Sequence, residues 1–399
     1  MKNAFAKLFS FPRAIIYLGL ASLFTDIATE MVYPLFPIYI STVLGASVFF
    51  LGLFEGMAES VASLTKLYSG YLSDQAKSEK PLVLTGYGIS TIFRPLLAIA
   101  TAPWHALSFR LMDRVGKGIR SSPRDAWLAA SAPDDQRGKV FGFHRAMDHT
   151  GAFLGPLLAT AFLYYLPGHY RTLFALTFFP GLIALYCLWA APEPAQKKQS
   201  EAKPKFSLRE LFKNLHKLNP NLKFYLILLT LFTIGNSSDA FLLLKLKNVG
   251  VPEAFIPLCW AALHLVKLSF ATLGGSFSDR FGRKPSITIG WIIFVACYLG
   301  FSFLDNRTLI VLVFLAYGLY YSFTEGAEKA YIADLSHPEE RGTAFGAFNL
   351  TQGIGALPAS IITGALWEKF GPHFAFLFGV VMTGAALLLL FFVPAKKAV

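Results

Sequence analysis

The sequence is poor in charge and in cysteine, and it has no recognisable catalytic motif. Only 15% of its 399 residues are charged, while 54% are apolar; soluble domains carry roughly 25% charged residues. Thirty-nine phenylalanines cannot all be hidden in a water-soluble body of this size, whereas lipid-facing helices need no hiding place. The three cysteines, Cys187, Cys259 and Cys297, each sit inside an apolar run. They offer neither a disulfide framework nor a paired metal-ligand spacing. No P-loop, HExxH helix or nucleophile elbow occurs in a suitable context, so neither an enzyme nor a cofactor is expected. The first apolar run contains Asp26, Glu30, Pro34 and Pro37 and lacks a small-residue cleavage site. It reads as a first span rather than a removable signal peptide.

What is present is a succession of long apolar runs. With Gly, Pro and charge clusters as punctuation, hydropathy predicts an all-α membrane protein with twelve spans, near 14–41, 46–73, 81–101, 104–129, 139–165, 171–191, 222–247, 253–278, 285–304, 308–335, 342–368 and 372–393. Connections between spans alternate in charge. The odd-numbered ones hold four bases, Arg171, Lys247, Arg307 and Lys369, against twenty-one in the even-numbered ones and the tails. The positive-inside rule then predicts cytoplasmic termini, with the inner cell membrane the expected location. The net charge of +12 is thereby explained by topology and anionic lipid, and no nucleic-acid partner is expected. The stretch 192–220 is rich in Pro, Lys and Gln and is expected to be a cytoplasmic linker, with a short amphipathic helix from Phe206 to Leu218. It would separate a six-helix bundle over 1–191 from another over 221–399.

The two halves repeat one another. Arg137-Gly138-x-x-Phe141-Gly142 recurs 204 positions later as Arg341-Gly342-x-x-Phe345-Gly346, and Gly151 recurs as Gly355. Gly70-x-x-x-Asp74 returns as Gly275-x-x-x-Asp279, and Thr25-Asp26 is echoed by Ser238-Asp239. Collinear matches at a nearly constant offset predict a duplicated six-span unit, a plan that recurs in secondary transporters.

With charges in the connections, tails and span ends set aside, eleven bases and ten acids remain inside the predicted spans. Each charge at the bilayer centre costs about 2.5–3.5 kcal/mol, so exposing all of them to lipid would cost on the order of 50 kcal/mol. They must face inward. In the fourth span Arg110, Asp113, Arg114, Lys117, Ser121, Arg124 and Asp125 form one helical stripe. Asp26 with Glu30, Glu55 with Glu59 and Lys66, and Glu325 with Glu328 and Lys329 also lie on single faces. About half of these charges are expected to be structural pairs, with Arg120, Arg124, Asp125, Glu328 and Lys329 forming structural or gate pairs at the cytoplasmic end. Asp26, Glu30, Arg110, Asp113, Arg114, Arg145, Asp148 and Asp239 are the candidates for solute or proton contact. Burial favours the neutral form of a carboxyl, which reversible protonation needs; Arg stays charged and can only hold an anion or a carboxylate. His144, Arg145, Asp148 and His149 offer i, i+4 pairs, for which ordinary hydrogen bonding is a better account than a metal site.

The loop Gly275-Ser276-Phe277-Ser278-Asp279-Arg280-Phe281-Gly282-Arg283-Lys284 resembles the signature loop of the major facilitator superfamily. Gly70-Tyr71-Leu72-Ser73-Asp74 keeps the first part of its other copy, with Lys77 and Lys80 as basic substitutes. Gly151-Ala152-Phe153-Leu154-Gly155-Pro156 resembles the fifth-span motif of proton-driven exporters in that superfamily. Arg110 or Arg114 looks like its membrane-embedded arginine. The resemblance covers essentially the whole chain and implies alternating access, with Asp74 and Asp279 latching the cytoplasmic side through nearby bases such as Arg280 and Arg283. The expected function is secondary transport of a polar or charged small solute, proton-coupled, by a monomer in the lipid bilayer, with export favoured by the fifth-span motif. Two other readings remain open: an importer or facilitator of an organic anion or metal-chelating compound, motivated by Arg110, Arg114 and Lys117, and a non-transporting receptor on the same scaffold.

Overall fold

The computed structural model describes residues 11–76, 78–133, 137–193, 218–336 and 341–393. The amphipathic helix expected from Phe206 lies outside these residues, and the side chains of Asp74, Arg137 and Arg341 lie outside the description. The described chain is helical, with no strand. The helices are α1 (Arg13–Val32), α2 (Val48–Gln75), α3 (Lys80–Phe93), α4 (Pro103–Ser131), α5 (Arg137–Tyr165), α6 (Tyr170–Leu176) and α7 (Phe178–Ala190), then α8 (Pro220–Gly235), α9 (Asp239–Asn248), α10 (Ile256–Phe281), α11 (Arg283–Phe303), α12 (Arg307–Leu335), α13 (Arg341–Phe370) and α14 (Pro372–Leu390).

Local chemistry sets their ends. The Asn219, Ser238 and Asn306 side chains accept from the first-turn N–H groups of α8, α9 and α12, meeting donors that a helix start leaves unbonded. Gly282 (φ 101°) and Gly371 (φ 88°) take left-handed backbone between α10 and α11 and between α13 and α14, where a side chain would be strained. Beyond α1 the chain passes through a 3₁₀ turn at Tyr33–Leu35 and a π turn at Tyr39–Val43. Pro34 and Pro37 lie in this stretch, and a proline supplies no N–H to the regular ladder.

Among the described residues, nine helical segments are long and apolar enough to cross a membrane. The helices α4, α5 and α13 are 29, 29 and 30 residues long but too polar to join that set. The first carries the charge stripe, the second Arg145, Asp148 and His149, and the third Asn349 and Gln352. Large apolar side chains such as Ile227, Leu265 and Leu312 point outward, as hydrocarbon solvent permits. Trp104, Tyr164 and Tyr165 are exposed at helix ends, the position aromatic belts occupy.

The chain divides into two compact units, residues 1–35 with 64–206, and 36–63 with 207–399. In the first, α1 packs on α5 and α7, and α3 on α4 and α7. Its core gathers Ile15, Leu18, Tyr87, Trp127, Val140 and Leu188. In the second, α11 and α10 pack on α12, and α8 on α13 and α14. Segment 36–63 belongs to this unit through Phe49 N–H donating to Glu368 (2.8 Å), the Ser60 hydroxyl to the Gly353 carbonyl (2.7 Å) and Ser238 to Glu55 (3.0 Å).

The repeat has a packing meaning. A Cβ on Gly151 of α5 would press on the Leu23 carbonyl of α1 and one on Gly155 would stand 2.6 Å from the Ile27 carbonyl, while one on Gly355 of α13, the repeat of Gly151, would stand 2.7 Å from Thr233 of α8. In each half the same pair of helices crosses too closely for a side chain. Gly142, also in α5, would meet nothing within 4 Å. Gly155→Ala is therefore expected to destabilise by about 1–3 kcal/mol through overpacking. Gly142→Ala should be neutral or stabilising by up to about 1 kcal/mol from helix propensity. Melting temperatures of the two variants in detergent check this; equal shifts would contradict it.

Candidate functional site

The N-terminal unit holds two linked charge clusters. The first is built on α1, α4 and α5. A Cβ at Gly151 would lie 2.9 Å from Cβ of Asp26, and one at Gly155 would lie 3.1 Å from Cβ of Glu30, so the missing side chains let both acids of α1 press against α5. Asp26 is within electrostatic reach of Asp148, Glu30, Arg120 and Arg124. The Ser22 hydroxyl donates to Asp148, and His144 Nδ1 lies 3.4 Å from the other Asp148 oxygen. Arg124 donates to Ser22 at 3.4 Å and pairs with its neighbour Asp125 at 3.0 Å. Ser22 thus joins an arginine of α4 to an acid of α5.

The second cluster lies between α3 and α4. Arg94 Nη2 pairs with Asp113 at 2.9 Å, both side chains 5% exposed. Arg110, Arg114 and Arg120 are buried too and act on the same carboxylate. Arg120 donates to Ser90 at 2.9 Å and covers the Tyr87 ring at 4.4 Å; Arg110 lies 5.5 Å from the Tyr33 ring centroid. Aromatic faces attract guanidinium groups that have left water. Four buried guanidinium groups thus gather around the Asp113 carboxylate.

In the C-terminal unit the chain breaks at Asn236 between α8 and α9, and the Ser238 cap places Asp239 in the first turn of α9. Tyr317 donates to Asp239 at 3.0 Å and Tyr321 at 3.1 Å. Lys267 Nζ lies 3.9 Å from the carboxylate and 3.5 Å from the Tyr321 ring centroid. Asn236 donates to the Tyr320 hydroxyl at 3.1 Å. Behind them Phe232 stacks on Trp291 at 4.7 Å and Phe294 on Tyr298 at 4.0 Å. Buried Glu328 accepts from Trp291 at 3.3 Å, while Lys329 pairs with Glu325 at 3.4 Å.

The signature loop is held locally. Arg283 pairs with Asp279 across one helix-to-helix turn, reaches Asp334 of α12 at 3.6 Å and donates to Ser278 at 3.1 Å. Arg280 is exposed and lies against Phe281. A Cβ on Gly275 would meet nothing within 4 Å, whereas adjacent Gly274 packs on the α12 backbone at Ser322. Lys284 donates to the Phe391 and Val393 carbonyls at 2.9 and 2.8 Å, and Lys80 donates to the Trp189 and Ala191 carbonyls, both at 2.9 Å. Each lysine caps the C-terminal end of the last helix of its own half, where carbonyls lack helical partners and a cation is favoured.

The family model for the Major Facilitator Superfamily matches residues 18–263 and 226–399. The chain belongs to this superfamily. An uncharacterised MFS-type transporter of Methanocaldococcus jannaschii is 34% identical over 385 residues, covering 95% of this chain and 94% of that relative. Among solved structures, the nucleoside transporter NupG aligns with TM-score 0.75 at 16% identity over 95% of this chain and 97% of that one. A D-xylose-proton symporter aligns with TM-score 0.74 at 17% identity over 96% and 98%. The protein is an integral membrane transporter with the MFS fold, a family and fold of transporters rather than enzymes.

The structure brings Asp26, Glu30, Asp148 and Arg124 into one neighbourhood and Arg110, Asp113 and Arg114 into another. Asp239 stands among the tyrosines of α12, and Arg145 is exposed on α5. Sequence reasoning missed Arg94 as the partner of Asp113, Tyr317 and Tyr321 as ligands of Asp239, and the paired capping lysines. The last were findable, since Lys80 and Lys284 stand 204 positions apart, the offset of the Arg137 repeat.

Removing one member of a buried ion pair leaves the other charge uncompensated, at about 3–5 kcal/mol. Arg94→Met is therefore expected to lower the melting temperature sharply, with Arg94→Met combined with Asp113→Leu recovering much of the loss. A double variant as unstable as the single one would contradict the pairing.

Proposed function

We propose that this transporter moves a polar or charged small solute by alternating access, coupled to protons, with export the favoured direction. Asp26 is the proposed proton-exchanging group. What carries the reading is the position of Asp26 and Glu30 against Gly151 and Gly155, the glycines of the segment that resembles the fifth-span motif of proton-driven exporters. Asp26 has both acids (Asp148, Glu30) and bases (Arg120, Arg124) in electrostatic reach, so its charge state is coupled to partners on two other helices. A proton taken up there weakens the hold of Arg124 and frees it for Asp148, a change of pairing that links protonation to the packing of α1, α4 and α5. Glu30, Asp148, Arg110, Asp113, Arg114 and Arg145 are proposed to shape solute and proton contact around it. The sequence ranges 1–191 and 221–399 are proposed as the two moving bundles, and Asp74, Gly275, Asp279, Arg280, Arg283, Arg124 and Glu328 as the gate. The scaffold is shared with a proton symporter and a nucleoside transporter; that likeness concerns the fold, and the coupling rests on the residues.

In proteoliposomes containing a trapped pH dye, a metabolite and chelator panel is added under an imposed pH gradient. Solute-dependent proton movement is expected for the wild type. Asp26→Asn should abolish it with an unchanged melting temperature, and wild-type movement in that variant would place the proton elsewhere. Uptake indifferent to the gradient would remove the coupling.

Asp279→Asn loses the pairing with Arg283, so it should slow turnover severalfold without changing which solutes are carried. An altered solute ranking would mean that Asp279 is no part of a latch.

A further inference from the structure

The cluster around Asp239 has a use that the Asp26 reading leaves open. Its cation is held unlike an ordinary ion-pair partner. A direct N–H···O hydrogen bond spans about 2.7–3.2 Å, yet Lys267 Nζ lies 3.9 Å from the Asp239 oxygen. Its close contact is with ring faces, 3.5 Å from the Tyr321 centroid and 5.5 Å from that of Trp260. The carboxylate, for its part, accepts from the Tyr317 and Tyr321 hydroxyls. The pair is also not sealed, since the Lys267 and Asp239 side chains keep 18% and 13% of their exposure. Glu55 adds a second carboxylate by accepting from Ser238 at 3.0 Å, one residue before Asp239. An ammonium entering this place meets two acids and several electron-rich ring faces, all of which attract it. An anion meets a single base among the same groups.

We propose that Asp239, Tyr317, Tyr321 and Trp260 form a recognition box for the ammonium group of an organic-cation solute, and that Lys267 is its tethered occupant, displaced when that ammonium enters. The flexible four-carbon stem of lysine lets the side chain swing aside. Its residence between uses keeps the acids compensated, so the empty box does not pay the full cost of a bare buried charge. Lys267 thereby sets specificity as an internal competitor, so that a solute is held only if its cation beats an intramolecular one. This deepens the transport reading above by naming the solute class, and it rests on that reading only for the word solute.

The test is equilibrium binding to the purified full-length protein in detergent, with phenethylammonium as probe and 3-phenylpropanoate as its anionic counterpart. Phenethylammonium is expected to bind the wild type and to bind Lys267→Ala at least about tenfold more tightly, because the competitor is gone. Asp239→Asn should weaken it by about tenfold or more, and 3-phenylpropanoate should bind none of the three. Phenethylammonium binding that weakens in Lys267→Ala, or that is undetectable in both proteins, overturns the proposal. So does 3-phenylpropanoate binding to the wild type that Lys267→Ala abolishes. Variant folding is checked by rescue. Propylammonium, the part of the side chain that Lys267→Ala removes, should raise the melting temperature of that variant saturably but not that of Lys267→Ala combined with Asp239→Asn, and an equal response in both counts against the box. None of these readouts involves proton movement, so loss of coupling in the Asp26 experiment leaves them intact and their failure leaves coupling intact.

Discussion

An ionised side chain placed at bilayer depth must find its partner inside the protein, and this constraint organises more of the molecule than any other. Hydrocarbon offers no hydrogen bond and little dielectric relief, so each charge left facing it costs kilocalories. The stripe on α4 is the extreme case. Arg110, Asp113, Arg114 and Arg120 are buried because α3 supplies Arg94 for Asp113 and Ser90 for Arg120, and because the Tyr87 and Tyr33 rings cover guanidinium groups that have left water; Lys117, expected to face inward with them, is exposed instead, and Asp125 keeps 48% of its side-chain exposure. The α1–α5 contact exists for a related reason. The Gly151 and Gly155 surfaces bring the backbones near enough for Asp26 and Glu30 to be enclosed by protein rather than lipid.

The duplication shows how one scaffold meets this constraint twice with different chemistry. Helices α4 and α12 correspond residue for residue at an offset of 204, from Pro103 and Arg307 to Ser131 and Leu335. At that offset Asp113 stands where Tyr317 is, Lys117 where Tyr321 is, and Arg124 where Glu328 is. The first part of the charge stripe of one half, Arg110 to Lys117, is thus aromatic at three of its positions in the other, Phe314, Tyr317 and Tyr321, while the far end carries charge in both. What both halves share is skeletal, namely the glycines that let the first and fifth helices cross and the lysines that cap the last helix. What differs lies on the inward faces, where solute chemistry would be read.

Much of this was legible in the sequence. The apolar runs and much of the inward stripe follow from composition and periodicity, because hydrocarbon forces every span to close its own backbone hydrogen bonds and every charge to find a partner; the signature loop was legible only through its resemblance to that of the superfamily. The side-chain partners were not legible. Arg94 lies nineteen positions before Asp113 on another helix, and no periodicity within one helix reveals a pair across two. The tyrosines of α12 were missed because in an apolar run a tyrosine looks like lipid-facing or core filler until its hydroxyl is seen to reach a carboxylate. The break at Asn236 was passed over as well: Gly235-Asn236-Ser237-Ser238-Asp239 is a turn- and cap-rich run, but the apolar stretches on either side let hydropathy carry one span, 222–247, across it. Sequence also grouped Glu325, Glu328 and Lys329 on one face; Lys329 does pair with Glu325, whereas Glu328 turns toward Trp291. Adjacent residues on a helix point about 100° apart and rarely share a partner.

The two acid–base pairs, Arg94 with Asp113 and Lys267 with Asp239, differ in a way that bears on the proposed transport cycle. Arg94 and Asp113 meet at 2.9 Å with both side chains 5% exposed; opening that pair would strand a charge in a dry interior, so it acts as a fixed rivet between α3 and α4. Lys267 and Asp239 stand 3.9 Å apart with partial exposure, and each already has other company, the lysine from rings and the acid from phenols. Opening the second pair strands neither group. A cycle needs contacts that can be exchanged at small cost beside contacts that cannot, because the rigid ones define the moving body and the loose ones sense the cargo. In the proposed cycle the Arg94–Asp113 pair would belong to the body, with Asp113 shaping solute contact by holding Arg110 and Arg114 in place, and the tyrosine-lined acid of α9 would belong to the part that responds.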